Sequence, residues 1–320
     1  MHAVSDFAPL PLPKTANGAL RKTGIEIEFS GLDVEATCKV IQDTLGGDVT
    51  GKEPFLRDVI ATAIGEIKVE LDTPARQASD IAWVRKGLDA ATAIVPLEII
   101  TEPLVEDGMR QLNLLVAALR HVGAEGSRSG LLLGFGVHLN PEVVSVADAH
   151  TLSTTRAFGL LEDFLRQREA LDVTRRALPF VAPWPDEFVT DILDTQVTEF
   201  ADVFPVAGKH IRSRNHGLDL LPLLKFADPA QFDRLFPATK SSARPTFHFR
   251  MPDCRIDEPD WDLTQPWALW HLVETVAADE ALMRKLRVAW HERSTGMLRG
   301  DAWAQDVARI LTQHNTGEAA

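Results

Sequence analysis

The stretch GIEIEF at residues 24–29 decides the fold of this chain. Apolar and acidic residues alternate in it, and the side chains of a β-strand point alternately to opposite faces of a sheet. The pattern therefore predicts a strand that turns its apolar residues to a core and presents Glu26 and Glu28 together on the other face. Like charges on one face repel unless a cation lies between them. The strand thus predicts either a solvated outer face or a cation site.

Acidic residues recur on other predicted strands. EIKVEL at 66–71 ends in Glu70, and Asp72 follows with the same two-residue spacing. Glu98 lies within the apolar stretch VPLEIITEPL, where an unpaired carboxylate is costly. His138 lies in GFGVHLN; a lone histidine there is ordinarily a hydrogen-bonded core residue, but this one accompanies several strand carboxylates. Carboxylate oxygens in this number favour Mg²⁺ or Mn²⁺ over zinc.

The rest of the pattern mixes strands and helices without a strict β–α–β rhythm, which favours the α+β class. Helical spacing from Asp33 to Leu45, followed by two glycines, predicts a helix with an acidic N-cap. Further strands are predicted at 55–62, 96–103, 131–140 and 245–252, and further helices at 76–94, 106–122, 148–171 and from about 266 to 313.

Composition excludes several classes of protein. The chain has 320 residues, 45% of them hydrophobic and 25% charged, which is typical of a globular protein. Its 46 acidic and 33 basic residues give a net charge of −13, which repels nucleic acid. No apolar run approaches the roughly 20 residues of a membrane span, and we expect no secretory signal. Two cysteines, Cys38 and Cys254, form no disulfide framework or zinc motif, which indicates a cytoplasmic protein.

Arginines late in the chain supply the opposite charge. They are Arg212, Arg214, Arg244 and Arg250. Fixed guanidinium groups bind phosphate oxygens in a bidentate geometry. Strand carboxylates for a metal and arginines for phosphate together point to phosphoryl transfer.

The order of five motifs carries a family resemblance. GIEIEF, VELDTP, PLEIITEPL, GFGVHLN and RPTFHFRMP resemble, in this order, the motifs of the amidoligase family. That family is similar to glutamate–cysteine ligase and glutamine synthetase, within the carboxylate–amine ligase superfamily. The resemblance covers about residues 22–255, and each motif alone is short, but five in the correct order are fairly specific. RSRNHGLDLLPLL at 212–224 adds the family's arginine followed by an LNL-like element.

The resemblance implies a fold and a reaction. The fold is a curved antiparallel sheet, an incomplete barrel of the glutamine-synthetase-like type, with helices packed outside. ATP and Mg²⁺ or Mn²⁺ would bind on the concave face. A small-molecule or peptide carboxylate is activated as an acyl phosphate, and an amine attacks it to give an amide, with a γ-glutamyl bond among the options. A companion amidotransferase would be a separate protein, and a homodimer stays open.

Three prolines and the lack of periodicity over residues 1–20 predict an extended N-terminal arm, and we expect a single catalytic domain over 21–315, helical from 264 to 315. The implied metal ligands are Glu26, Glu28, Glu98, Asp72 with Glu70 as its alternative, His138 and His248. His138 contacts metal or phosphate in this scheme. Arg250 stabilises the transferring phosphoryl group, Arg214 binds substrate or phosphate, and Arg212 assists nucleotide binding.

Two positions depart from the family pattern. The last strand commonly reads Glu-x-Arg, whereas this chain has His248, Phe249 and Arg250. An imidazole removes a negative charge from the cluster and favours softer metals. Asp219 also replaces a common asparagine. The departures keep two alternatives open, namely a catalytically altered nucleotide- or metabolite-binding protein and a metal-dependent hydrolase that does not need ATP.

Overall fold

A computed structural model of the protein describes residues 6–53, 55–71, 96–128, 134–169, 181–293 and 300–317. Six antiparallel strands in these ranges form an open sheet with the order β2-β3-β4-β5-β1-β6. The strands are β1 Thr23–Phe29, β2 Asp48–Thr50, β3 Leu56–Thr62, β4 Gly65–Leu71, β5 Leu97–Thr101 and β6 Val137–Pro141. The mixed helix–strand class and the antiparallel sheet are confirmed. The glutamine-synthetase-like type stays a prediction.

Helices make up most of the remaining described chain. They are α1 Val34–Leu45, α2 Glu106–His121, α3 Ala149–Glu169, α4 Asp186–Ile192, α5 Val203–His210, α6 Leu221–Ala227, α7 Pro229–Leu235, α8 Thr264–Ala278, α9 Glu280–Glu292 and α10 Asp301–Gly317. The predicted helices at 33–45, 106–122 and 148–171 are confirmed, while the one at 76–94 lies outside the described residues. No helix in the described part of the chain is long and apolar enough to cross a membrane.

Helix α1 shows how the sequence sets the element ends. The Asp33 side chain accepts a hydrogen bond from the backbone N–H of Ala36 at 2.7 Å, which satisfies one of the donors at the helix start. Gly46 ends the helix with a φ of 73°, a conformation that glycine adopts without strain. The helix then packs on β3 and β4, and α2 packs on α1.

The sheet has one apolar and one charged face, as the alternation in β1 predicts. Ile25, Ile27 and Phe29 are at most 1% exposed and belong to the core. The two acidic residues of β1 point the other way. Helix packing on the apolar side therefore leaves the charged side for a functional site.

The predicted strand at 245–252 is extended but is not a regular strand. It pairs with β6 and the residue that follows it through isolated bridges, Phe249 to Leu139 and Thr246 to Glu142. Proline at both ends of the segment removes backbone donors, which limits a regular ladder. Phe249 and Phe247 lie against Trp270 of α8, with ring centroids 5.5 and 5.2 Å apart. Because side chains alternate, His248 and Arg250 lie on the opposite side.

The N-terminal arm packs on α8. Phe7 meets the Trp267 ring edge-on at 6.2 Å, and the Trp267 indole N–H donates to the carbonyl of Ala8 at 2.8 Å. Both contacts involve the part of the arm that the structure describes, which begins at residue 6. The division into an arm and one catalytic domain stays a prediction.

A buried ion pair joins the start of β1 to α8. The Arg21 guanidinium donates two hydrogen bonds to the Glu274 carboxylate, at 2.8 and 2.5 Å. His150 Nε2 lies 2.9 Å from the same carboxylate, and the Trp270 indole N–H donates to it at 3.1 Å. Burial alone raises the pKa of Glu274, but His150 and Arg21 outweigh it and lower the pKa. These four residues are called the Glu274 network below.

Candidate functional site

Three glutamates lie side by side across the charged face of the sheet. Glu28 of β1 is paired in register with Glu98 of β5, which is paired with Glu70 of β4. Residues directly opposite on antiparallel strands have Cβ atoms about 4.5–5.5 Å apart, and like charges there are destabilising. Lys68 Nζ lies 2.9 Å from Glu70 and offsets the charge at one end of the row. The other end meets His138.

His138 lies between the two glutamates of β1. Its Nδ1 is 2.8 Å from Glu26 Oε2, and its Nε2 is 3.5 Å from Glu28 Oε1. Glu28 Oε2 accepts the backbone N–H of Gly136 at 2.7 Å. Register explains the meeting, because His138 on β6 is the direct partner of Glu26 on β1.

Glu26 is held by several donors at once. Asn140 Nδ2 donates to Glu26 Oε1 at 3.0 Å, and Arg244 donates to the same oxygen at 3.3 Å. Burial alone raises the pKa of Glu26, but the hydrogen bond with His138 and the neighbouring side chains of His248, His138 and Arg244 outweigh it. The pKa of Glu26 therefore falls well below its usual range, and the carboxylate is ionised.

His248 joins the cluster through Asn140. Its Nδ1 is 2.6 Å from Asn140 Oδ1, and its ring lies edge-to-face with His138 at a centroid distance of 5.3 Å. Burial lowers the pKa of His248 well below the usual value. His248 is therefore neutral and adds no positive charge to the site.

Two groups of side chains in the described ranges bring potential metal-ligating atoms within 4.8 Å of one another. One group is Glu28, Glu98 and His138, and the other is Glu26, His138 and His248. Carboxylate oxygens suit Mg²⁺ and Mn²⁺, and an imidazole nitrogen suits the softer of the divalent ions. The donor set of the first group therefore fits a divalent cation of the Mg²⁺ or Mn²⁺ kind. The residues Glu26, Glu28, Glu98, His138, Asn140 and His248 are called the sheet cluster below.

Arginine side chains lie next to the sheet cluster. Asp219 donates its backbone N–H to the carbonyl of His248 at 3.0 Å. The Asp219 carboxylate accepts a hydrogen bond from Arg214 Nε at 2.8 Å, and Arg250 donates to the backbone carbonyl of Arg214 at 3.1 Å. Burial raises the pKa of Asp219, and Arg214 opposes that rise. Two guanidinium groups are thus fixed beside His248.

The structure brings most of the predicted site residues together. Glu26, Glu28, Glu98, His138 and His248 form the sheet cluster, with Glu70 adjacent and with Arg214 and Arg250 beside it. Asp72 lies outside the described residues. Arg212 is exposed and donates to the carbonyls of Gly208 and Lys209 at 2.8 and 2.6 Å, so it caps the end of α5. Its role in nucleotide binding stays a prediction.

Sequence reasoning missed two contacts of the cluster. Asn140 follows His138 by two residues on the same strand, so the period of two was a signal for it. Arg244 contacts Glu26 across 218 residues of chain, and no periodicity points to that contact. Only the folded sheet reveals that Arg244 supplies positive charge to Glu26.

Comparison with known proteins agrees with the motif order. No curated protein matches the chain. A family model described as "Putative amidoligase enzyme" matches residues 20–272, which is most of the chain and contains every element of the sheet cluster. The resemblance predicted from five short motifs is confirmed. The chain therefore belongs to the amidoligase family, whose name denotes ligases that form an amide bond.

Proposed function

We propose that the protein is an ATP- and Mg²⁺-dependent carboxylate–amine ligase. It joins a small-molecule or peptide carboxylate to an amine through an acyl phosphate, with ADP and phosphate as products. The observation that supports this most is the meeting of Glu28, Glu98 and His138 on three adjacent strands of a family member. Such a group of donors at one point of a sheet is what a metal–nucleotide site needs.

Glu28, Glu98 and His138 are the residues that would hold the metal. A divalent cation held there supplies positive charge that neutralises phosphate oxygens. The side chains of Glu98 and His138 are buried, and electrostatic attraction is stronger where water is excluded. Glu28 and Glu98 are like charges directly opposite each other on β1 and β5, and the burial of Glu98 makes their repulsion costly. The arrangement therefore favours binding over a solvated outer face.

Arg214 and Arg250 would serve the phosphoryl transfer. An oxygen of the substrate carboxylate attacks the γ-phosphorus of ATP, and ADP leaves with the electron pair of the broken bond. The amine nitrogen then attacks the acyl carbon, phosphate leaves, and the nitrogen loses a proton. The first step brings negative oxygens together and the second develops negative charge on the acyl oxygen, so fixed guanidinium groups lower both barriers. Asp219 would orient Arg214, since it accepts from Arg214 Nε at 2.8 Å.

A second candidate function is a nucleotide- or metabolite-binding protein on the same fold. The buried neutral His248 favours it, because a glutamate in that place would carry one more negative charge for a metal. A metal-dependent hydrolase is the third reading, and it would not consume ATP. The three differ in whether ADP is released and whether water or an amine is the acceptor.

Thermal unfolding with ATP, with and without Mg²⁺, tests the proposal first. A ligand that binds only the native state adds about 2.7 kcal/mol at a hundredfold excess over its dissociation constant. We expect a Mg²⁺-dependent shift in the wild type that Glu28→Gln removes. Glu66→Gln is the matched control, because Glu66 is an exposed carboxylate on β4. That variant should shift like the wild type.

A screen of amines and carboxylates for ADP release completes the test. ADP release that requires both substrates supports the ligase. A Mg²⁺-dependent shift without turnover supports the binding protein. No shift at millimolar ATP contradicts the ligase and leaves a hydrolase.

A further inference from the structure

The two candidate metal-binding groups share His138, so they cannot both bind a metal through it at the same time. Glu26 faces Nδ1 of His138 and Glu28 faces Nε2. A neutral imidazole carries one proton and one lone pair, so only one of its nitrogens accepts a metal. The position of the proton on His138 therefore decides which glutamate shares a metal with it.

The contacts of Glu26 favour the proton on Nδ1. The separation of 2.8 Å between Nδ1 and Glu26 Oε2 is that of a charge-assisted hydrogen bond. The other oxygen of Glu26 already accepts hydrogen bonds from Asn140 and Arg244. Asn140 is held in turn, since its Oδ1 faces His248 Nδ1 at 2.6 Å. Two donors from β6, His138 and Asn140, and a third from Arg244 thus hold the Glu26 carboxylate in place.

The contacts of Glu28 are different. Its Oε2 accepts the backbone N–H of Gly136, while its Oε1 lies 3.5 Å from His138 Nε2, beyond hydrogen-bond geometry. A metal ion between an oxygen and a nitrogen separates them by more than a hydrogen bond does. Glu98 also offers an oxygen within 4.8 Å of a ligand atom of Glu28 and of one of His138.

We propose that Glu26 is a positioning residue rather than a metal ligand. It accepts the Nδ1–H of His138 and thereby directs the Nε2 lone pair toward Glu28 and Glu98, with Asn140 and Arg244 holding Glu26 in turn. Metal-bound histidines commonly donate their second ring N–H to a carboxylate in this way. This inference rests on the proposed function for the presence of a metal, and it departs from the family resemblance, in which Glu26 and Glu28 are paired ligands.

Histidine NMR with Cd²⁺ alone tests the inference without ATP or turnover. In protein with ¹⁵N-labelled histidine, long-range proton–nitrogen spectra identify the protonated nitrogen of His138, which is assigned by its loss in His138→Gln. We expect the Nδ1–H form without metal. With ¹¹³Cd²⁺, we expect a one-bond coupling to Nε2 in the wild type and in Glu26→Gln, and none in Glu28→Gln.

Mn²⁺ titration followed by electron paramagnetic resonance gives the affinities. Removal of a residue that supports a metal ligand typically costs about 10–100-fold in affinity, so we expect Glu26→Gln to weaken Mn²⁺ by that amount and keep one site. The inference is overturned if the wild type shows coupling to Nδ1 or no coupling to His138. It is also overturned if the coupling is lost in Glu26→Gln or survives in Glu28→Gln. ADP release in the wild type would survive such a failure, whereas intact metal binding without ADP release would contradict only the proposed function.

Discussion

One buried and one half-buried glutamate of this protein meet a histidine in opposite ways. Glu274 is fully buried and accepts two hydrogen bonds from Arg21, with His150 and Trp270 on the same carboxylate. Glu28 contacts a backbone N–H and the edge of His138, and within the described residues no cation contacts it. A carboxylate that is fully paired holds the fold together. Glu28 is half-buried and lacks a cation among the described residues, which costs stability and favours a role in binding.

The largest expected effect is on the paired carboxylate. Glu274→Gln removes the charge that compensates Arg21, whose side chain is 1% exposed. Breaking a buried ion pair from one side typically costs about 3–5 kcal/mol, because the other charge is left uncompensated. We expect that loss in the free energy of unfolding, measured by urea denaturation.

Glu66→Gln is the control for this loss. An exposed substitution away from special features changes stability by no more than about 0.5 kcal/mol. If Glu274→Gln lowers the free energy of unfolding by less than about 1 kcal/mol, the Glu274 network does not hold the fold together.

The next largest expected effect is a loss of activity on substitution of Glu28, the carboxylate that no cation contacts among the described residues. Glu28→Gln keeps the shape of the side chain and an oxygen for the Gly136 N–H, but it removes a charge from the proposed metal site. Losing one electrostatic contact at a reacting centre typically costs about 10²–10³ in rate. We expect ADP release to fall by about that factor while the circular dichroism spectrum is unchanged. Equal activity in Glu28→Gln and Glu66→Gln would contradict the site.

Sequence reasoning predicted the sheet cluster better than the Glu274 network. The period of two in β1 placed Glu26 and Glu28 on one face, and apolar flanks marked β5 and β6 as buried strands. Local patterns indicate which face a residue occupies. They do not give the register that puts Glu28 opposite Glu98, because register depends on contacts between distant strands.

The Glu274 network could not be predicted from the sequence. Arg21 and Glu274 are 253 residues apart, and neither lies in a motif. Glu274 sits within an apolar stretch of α8, where a helical pattern gives no sign of its partner. The irregular segment at 245–252 was predicted as a strand for a similar reason, since alternation shows an extended chain and not its hydrogen bonds.

A pH dependence distinguishes the two regions further. His150 and Arg21 lower the pKa of Glu274 despite its burial. The folded-state pKa is thus below the usual value of 4.5, and the unfolded chain takes up the proton first. The stability that the ionised Glu274 contributes is present above pH 4.5 and is lost as the pH falls through the folded-state pKa.

We expect His150→Gln to move that loss of stability to a higher pH. Glutamine still donates a hydrogen bond to Glu274 but carries no charge, so the pKa of Glu274 rises. Thermal unfolding in steps from pH 6 to pH 3 measures the change, which is smaller than that of Glu274→Gln. If the loss of thermal stability between pH 6 and pH 3 is the same in His150→Gln and the wild type, other carboxylates determine the acid sensitivity of the protein.

The smallest expected effect has the opposite sign and tests most directly whether Glu28 and Glu274 have different roles. Glu28 and Glu98 are paired directly across β1 and β5, and cross-strand pairs are worth roughly 0.2–1 kcal/mol in either direction. Glu28→Gln should therefore raise the free energy of unfolding by about that amount in metal-free protein. Added Mg²⁺ should stabilise the wild type and leave Glu28→Gln unchanged, because a ligand stabilises only the state that binds it. Urea denaturation in EDTA measures the change in the free energy of unfolding without metal, and urea denaturation in Mg²⁺ measures the stabilisation by the ion. A loss of stability in EDTA would show that Glu28, like Glu274, serves the fold, and the contrast between the two carboxylates would fail.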